Sequence, residues 1–313
     1  MTMAPTIIFM GTPEFAAPAL HSLHRAGFSI PLVVTQPDRP KGRGKSVQPP
    51  PVKAVALSLG LPVVQPVTTK EEAFWETLKG LTPDFLVVVA FGQILPKAVL
   101  EIPKFGAINI HPSLLPKYRG PAPIQHAIIN GDSVTGVTTI LLDEGMDSGE
   151  ILLADPLPIS QNDTSESLHH LLAEKGAILL LKSIDGLFHG TLRPMAQDHD
   201  QKSYAPRFKK EDGRIKWRDS AGKIDCFVRG IHPWPGAFTD LEMKRYKIFR
   251  VEPVACHMDA LPGTVIDTGR ATLVVRAGED AVSILEIQGP SGKRLPISEF
   301  LKGRPVSPGA VLT

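Results

Sequence analysis

The sequence predicts an α/β chain, a doubly wound and mostly parallel sheet followed by a small C-terminal β-barrel. Apolar runs of strand length alternate with helical stretches from Thr6 to about His189, the pattern of parallel strands joined by crossover helices. Phe85 to Val89 is apolar without a break, as a strand covered on both faces by helices must be. Beyond Arg207 short strand-like runs follow one another between turn residues, which suits a small barrel. The domains are therefore drawn as residues 1–206 and 207–313.

Taken in order, Thr6 to Met10 is a strand that runs into Gly11-Thr-Pro-Glu-Phe15, and Pro13 suits the first turn of the helix that follows to about Ala26. Strands are predicted at Ile30 to Thr35, Pro62 to Gln65, Phe85 to Val89, Ala107 to His111, Thr135 to Leu142 and Glu150 to Ala154. Helices are predicted at Pro51 to Leu59, Lys70 to Lys79, Ile94 to Leu100, Pro123 to Asn130 and Ser165 to His189, the last stopped by Gly190. One helix over Ala221 to Gly230 leads into the second domain, with strands at Tyr246 to Val254, Gly263 to Asp267, Thr272 to Arg276 and Val282 to Gln288. The first turn has only one glycine of G-x-G-x-x-G, and no G-x-x-x-x-G-K-[ST] occurs, so the Rossmann-like sheet is not expected to bind NAD or ATP. Gln36 to Pro51 is too rich in Gly and Pro to hold regular structure and reads as a long irregular loop.

Composition narrows the class. The 313 residues are 42% hydrophobic and 21% charged, as in ordinary globular proteins. The longest wholly apolar run, Phe85 to Phe91, cannot span a bilayer, and the N-terminus shows no basic leader. Two cysteines form no disulfide framework and no Cys/His cluster has zinc spacing, so the expectation is a cytoplasmic protein with no membrane segment and no metal.

The net charge of +2 hides an asymmetry. Residues 1–206 carry 16 Lys and Arg against 19 Asp and Glu, net −3, whereas residues 207–313 carry 18 against 13, net +5. Two stretches concentrate the positive charge. Arg39, Lys41, Arg43 and Lys45 share the long loop with one acid, Asp38, and Arg207 to Arg218 holds six basic residues, among them Lys209, Lys210 and Lys216. Both read as surfaces for a polyanion such as RNA.

The chemistry is expected around Asn109-Ile-His-Pro-Ser-Leu-Leu-Pro-Lys-Tyr-Arg-Gly120. Side chains alternate along a strand, so Asn109 and His111 share one face, at the C-terminal edge where such sheets bind ligands. Asp147, in Gly145-Met-Asp-Ser-Gly149, follows another apolar run that can return a carboxylate to the same edge. An amide donor, an imidazole and a carboxylate suit carbonyl chemistry: the Asn donates to a developing oxyanion, the His donates or shuttles a proton and the Asp accepts one from the nucleophile.

These stretches resemble the signature of the 10-formyltetrahydrofolate-dependent formyltransferases. With Gly11-Thr-Pro-Glu-Phe15, Gln36-Pro-Asp-Arg-Pro-Lys-Gly-Arg-Gly-Lys45, Arg119-Gly-Pro-Ala-Pro-Ile-Gln125 and Gly230-Ile-His-Pro-Trp-Pro-Gly-Ala237, the chain is similar to the methionyl-tRNA formyltransferase family over nearly its whole length. The resemblance implies transfer of a formyl group from the co-substrate 10-formyltetrahydrofolate to the amine of initiator methionyl-tRNA, by a monomer without a prosthetic group. It implies Asn109, His111 and Asp147 as catalytic, Ser113, Leu114, Leu115 and Pro116 as the folate loop, and Arg43 as acting near the tRNA acceptor end. It makes the C-terminal barrel OB-like and tRNA-binding. Two residues depart from the family pattern, His126 where a tryptophan is expected and His232 where asparagine is commoner.

Other acceptors stay open at this point. A nucleotide-sugar amine, glycinamide ribonucleotide and water each suit the same formyl-folate site. An RNA-binding protein with a dead catalytic domain is the alternative from another class, and it would have lost one of the trio.

Overall fold

The computed structural model describes residues 4–41, 46–269 and 271–313. The chain divides into two compact units, one of Met1–Gly120, Thr135–Pro158 and His169–Tyr204, the other of Pro121–Val134, Ile159–Leu168 and Ala205–Thr313.

In chain order the first unit begins with β1 (Thr6–Gly11), α1 (Ala17–Arg25), β2 (Ser29–Val34), β3 (Arg39–Lys41), β4 (Ser46–Gln48) and α2 (Pro51–Ser58). Then come β5 (Val63–Val64), α3 (Glu72–Gly80), β6 (Phe85–Val89), α4 (Lys97–Leu100) and β7 (Ala107–His111). α5 (Pro123–Ile129), which belongs to the second unit, precedes β8 (Val134–Leu141), β9 (Ile151–Pro158) and α6 (Ser165–Phe188), whose first residues also fall in the second unit. The strands form one seven-stranded sheet in the order β5-β2-β1-β6-β7-β8-β9. Pairings from β5 through β7 are parallel and β7 meets β8 antiparallel. Every residue of β6 and β7 is buried; β6 is apolar throughout, whereas β7 also buries the polar Asn109 and His111.

Two local expectations are corrected. The long loop contains a short ribbon, Arg39 to Lys41 pairing antiparallel with Ser46 to Gln48, with Pro40 opposite Val47. The Asp38 carboxylate sits 2.8 Å from Lys53 Nζ and accepts from Gln65 Nε2 at 2.7 Å, which pins the base of the ribbon. The helix expected from Ile94 starts only at Lys97, after Pro96 in extended geometry, and leaves Ile94 exposed.

The second unit holds α7 (Ala221–Gly230), β10 (Ala237–Leu241), β11 (Lys244–Val254), β12 (Val265–Asp267), β13 (Val274–Arg276), β14 (Ala281–Gln288), β15 (Arg294–Pro296) and α8 (Ile297–Gly303). Its antiparallel sheet runs β10-β11-β14-β13-β12, with β15 on β14. The last residues close it. Val265 N–H donates to Ala310 O and Leu312 N–H to Gly263 O, each at 2.8 Å, while Asp240 and Thr313 exchange backbone hydrogen bonds at 2.8 and 2.9 Å. Residues 309–313 thus bridge the two edge strands, β12 and β10, into the predicted barrel. Ile224, Val228, Ile248, Val275, Ile284 and Trp217 fill its core.

Candidate active site

The site begins with β7. Ile108 and Ile110 take one face of the strand, and the Ile110 side chain lies so close to α6 that a Cβ on Gly176 would meet it at 2.6 Å. Asn109 and His111 are left for the opposite face, both buried. Register fixes them further, with Asn109 beside Val88 of β6 and Ile140 of β8, and His111 beside Thr138.

The chain leaving β7 folds back on itself. Ser113 is fully buried, its Oγ donates to Lys117 O at 2.6 Å and its carbonyl accepts from Thr138 Oγ1 at 2.6 Å. Leu115 N–H donates to the same Thr138 hydroxyl at 3.2 Å. This tight turn presents the Tyr118 carbonyl to His111, whose Nε2 stands 2.9 Å away. A carbonyl only accepts, so Nε2 carries the hydrogen and Nδ1 is the nitrogen turned to the chemistry, an assignment made from the network.

Nδ1 stands 3.6 Å from Asp147 Oδ2. The same oxygen accepts the Gly120 N–H at 2.8 Å. The imidazole and the carboxylate thus face one another across a gap slightly longer than a hydrogen bond. Asp147 adopts a left-handed backbone, φ +49°. That costs an L-residue about 1–2 kcal/mol, less for Asp than for most.

The trio is therefore brought together as the sequence predicts. Asn109 and Asp147 also wall a cavity of about 270 Å³ whose other walls include Phe91, Leu95, Leu142 and Met146. The Asn109 side chain makes no hydrogen bond among the described residues. Its amide is an unspent donor beside that cavity, which is what a developing oxyanion needs. Ser113, Leu114, Leu115 and Pro116 are not among the cavity's walls. They form the turn that positions Tyr118.

Sequence reasoning missed Gln197. This buried amide donates from Nε2 to both Asp147 O and Gly149 O, at 2.8 and 2.7 Å. Its Oε1 accepts from Arg119 Nε at 3.1 Å and Nη2 at 2.6 Å. No motif marks it, because it lies on an irregular segment after the last helix of the α/β pattern.

The basic residues fall in both units. Arg39 is exposed, with Nη2 3.3 Å from Gln36 Oε1, and Lys41 ends β3. Arg43 and Lys45 lie outside the described residues. In the second unit Lys209 and Lys210 are exposed. From Gly213 to Arg218 burial alternates: Ile215 and Trp217 point into the core while Arg214, Lys216 and Arg218 face outward. Trp217 Nε1 donates to Thr239 Oγ1 at 3.0 Å, anchoring this segment to β10. Arg214 is held by Asp240 at 2.8 Å, but Lys216 and Arg218 make no ion pair among the described residues. The two departures have structural roles here. The His126 ring stacks on Phe208 with centroids 4.8 Å apart, and His232 lies edge-on to Phe249 with Nε2 3.4 Å from Glu166.

Among the described residues no group of three or more His, Cys, Asp or Glu could hold a metal ion, and no helix is long and apolar enough to cross a membrane.

A family model described as formyl transferase matches residues 5–184, and one described as formyl transferase, C-terminal domain, matches residues 207–305. The chain is 48% identical to the methionyl-tRNA formyltransferase of Citrifermentans bemidjiense over 98% of its own length and 96% of the relative's. It is 48% identical to that of Thermodesulfovibrio yellowstonii, covering 98% of each. Among solved structures, an N-formyltransferase from Helicobacter canadensis in complex with folinic acid and dTDP-3-aminofucose aligns over 90% of this chain and 99% of its own, with 19% identity and a TM-score of 0.68. HypX from Aquifex aeolicus in complex with tetrahydrofolic acid aligns at 17% identity and a TM-score of 0.64, this chain spanning 51% of HypX. At such identities the two structures speak for the fold.

Proposed function

The chain belongs to the methionyl-tRNA formyltransferase family, and on that premise we propose that Asn109, His111 and Asp147 carry the transfer of a formyl group from 10-formyltetrahydrofolate to the α-amine of initiator methionyl-tRNA. The product is N-formylmethionyl-tRNA, the initiator of translation. The observation that carries this reading is the meeting of an unspent amide, an imidazole Nδ1 and a carboxylate at one edge of the sheet, beside an apolar cavity.

The neutral amine attacks the formyl carbon and a C–N bond forms. Asn109 Nδ2 donates to the oxyanion that develops. Asp147 accepts the proton released by the amine, and His111 Nδ1, its Nε2–H held by Tyr118 O, relays a proton within the site. The bond from the formyl carbon to N10 then breaks, N10 takes the proton, and tetrahydrofolate leaves. No step requires a resident cofactor; the folate is consumed as co-substrate.

Folate contact is assigned to the cavity walled by Phe91, Leu95 and Leu142, whose apolar surface suits a flat heterocycle. Ser113, Leu114, Leu115 and Pro116 form the loop that grips the folate, at the point where the chain leaves β7. The tRNA is bound through phosphates, by Lys209, Lys210 and Lys216 of residues 207–313 and by Arg39, Lys41, Arg43 and Lys45 of the Gln36 to Pro51 stretch. Residues 1–206 supply catalysis and the barrel supplies tRNA binding, in a cytoplasmic monomer. One chain carries every group that the reaction uses.

The test is single-turnover formylation by Asn109→Ala and His111→Ala. Each loses ~10²–10³ in rate, about 3–4 kcal/mol of transition-state stabilisation, if it holds the oxyanion or its proton. A variant with the rate of the unaltered protein removes that residue from the mechanism.

A further inference from the structure

We infer that Gln197 is a positioning residue for the reaction, a clamp that holds Asp147 against His111 by joining the two backbone turns on either side of the imidazole. The inference rests on the formyl-transfer reading above and names a residue that reading does not use.

His111 is gripped by two segments. Tyr118 O receives its Nε2–H, and Asp147 Oδ2 faces its Nδ1. Those segments are far apart in sequence, and their spacing sets the Nδ1–Oδ2 distance. The hydrogen bonds of the Gln197 side chain reach both segments. Its two N–H groups go to the carbonyls of Asp147 and Gly149, and its oxygen takes the Arg119 fork, one residue from Tyr118 and one from the Gly120 N–H that holds Asp147 Oδ2.

The amide's direction is settled from both sides. Flipped, it would set an oxygen against two carbonyls and an N–H₂ against a guanidinium, losing four hydrogen bonds at once. Gln197 and Arg119 are both buried, so no bulk water substitutes for a lost partner. The left-handed backbone of Asp147 also needs outside support, and the Gln197 bond to its carbonyl supplies it.

Asparagine is too short to span both turns. Glutamate is isosteric but offers two acceptors where the turn presents two carbonyls. Both Gln197→Ala and Gln197→Glu should therefore let the Asp147 turn drift. A misplacement of about 1 Å at a reacting group costs on the order of 10²-fold in rate.

A double-mutant cycle tests this with full-length protein, 10-formyltetrahydrofolate and charged initiator methionyl-tRNA. Gln197→Ala and Gln197→Glu lower single-turnover formylation ~10–100-fold while KM for folate and for tRNA stays within threefold. In an Asp147→Asn background the same changes cost less than threefold, because Gln197 acts through the carboxylate that is already gone. If the Gln197→Ala protein does not fold, as judged by thermal melting, the isosteric Gln197→Glu carries the cycle. Equal losses in both backgrounds, or a full rate in the Gln197 variants, overturn the clamp. An unaltered protein that does not formylate the tRNA overturns the functional reading instead, so the two failures are told apart.

Discussion

Replacing Gly149 with alanine puts a methyl where the fold has no room for one. Its Cβ would stand 1.7 Å from the Leu141 carbonyl oxygen, 2.9 Å from that carbonyl carbon and 3.3 Å from Asp143 N, and all three atoms are backbone. Cβ atoms essentially never come within 3.0 Å of another heavy atom, so the turn and the end of β8 must part by about 1.3 Å. Gln197 holds the carbonyls of Gly149 and Asp147 with one nitrogen, so a displaced Gly149 takes Asp147 with it. The expected loss in single-turnover formylation is on the order of 10²-fold. Overpacking of this kind costs about 1–3 kcal/mol, which for a chain of this size lowers Tm by roughly 2–12 °C. Gly222→Ala is the control: it lies in α7 with nothing within 4 Å of its would-be Cβ, and should keep full activity. Its stability should rise by about 0.5 kcal/mol. A Gly149→Ala protein whose rate stays within threefold of the unaltered one would refute the claim that this turn sets the carboxylate.

Further outcomes follow from the same structure. Neutralising Lys209 and Lys210 should reduce the slope of log affinity for tRNA against log salt by about 1–2; an unchanged slope in filter-binding titrations would place them off the RNA path. Hydrogen bonds from Lys53 and then Gln65 hold the Asp38 carboxyl below its ordinary value. Its contribution to stability is therefore present above the unfolded carboxylate range and lost as pH falls through the lower folded value. Lys53→Met should melt earlier than the unaltered protein at neutral pH, and the gap should close below about pH 4. A gap constant from pH 7 to pH 3 would show that the Asp38–Lys53 pair does not anchor the ribbon.

The sheet was legible because parallel strands buried on both faces have a sequence signature, seen in Phe85–Val89. The trio was legible for a related reason. Two-residue spacing puts Asn109 and His111 on one face, and the Pro112 that follows places them at the strand's end. What escaped was structure whose reason lies elsewhere in the chain. β10, Ala-Phe-Thr-Asp-Leu, has no strong alternation and owes its form to β11 and to Thr313. Residues 309–313 carry no strand pattern, yet they close the barrel by bridging β12 and β10. The β3–β4 ribbon is hidden by Gly and Pro content that ordinarily means an irregular loop. Gln197 could not be read at all, because its role is set by two turns 50 and 78 residues away.

The most direct test is to offer the protein 10-formyltetrahydrofolate with charged initiator methionyl-tRNA, and with free methionine and charged elongator tRNA as controls. Rapid formylation of the initiator alone is the predicted result. Folate consumed with no tRNA modified would contradict the account and assign the Asn109–His111–Asp147 site to another amine or to water.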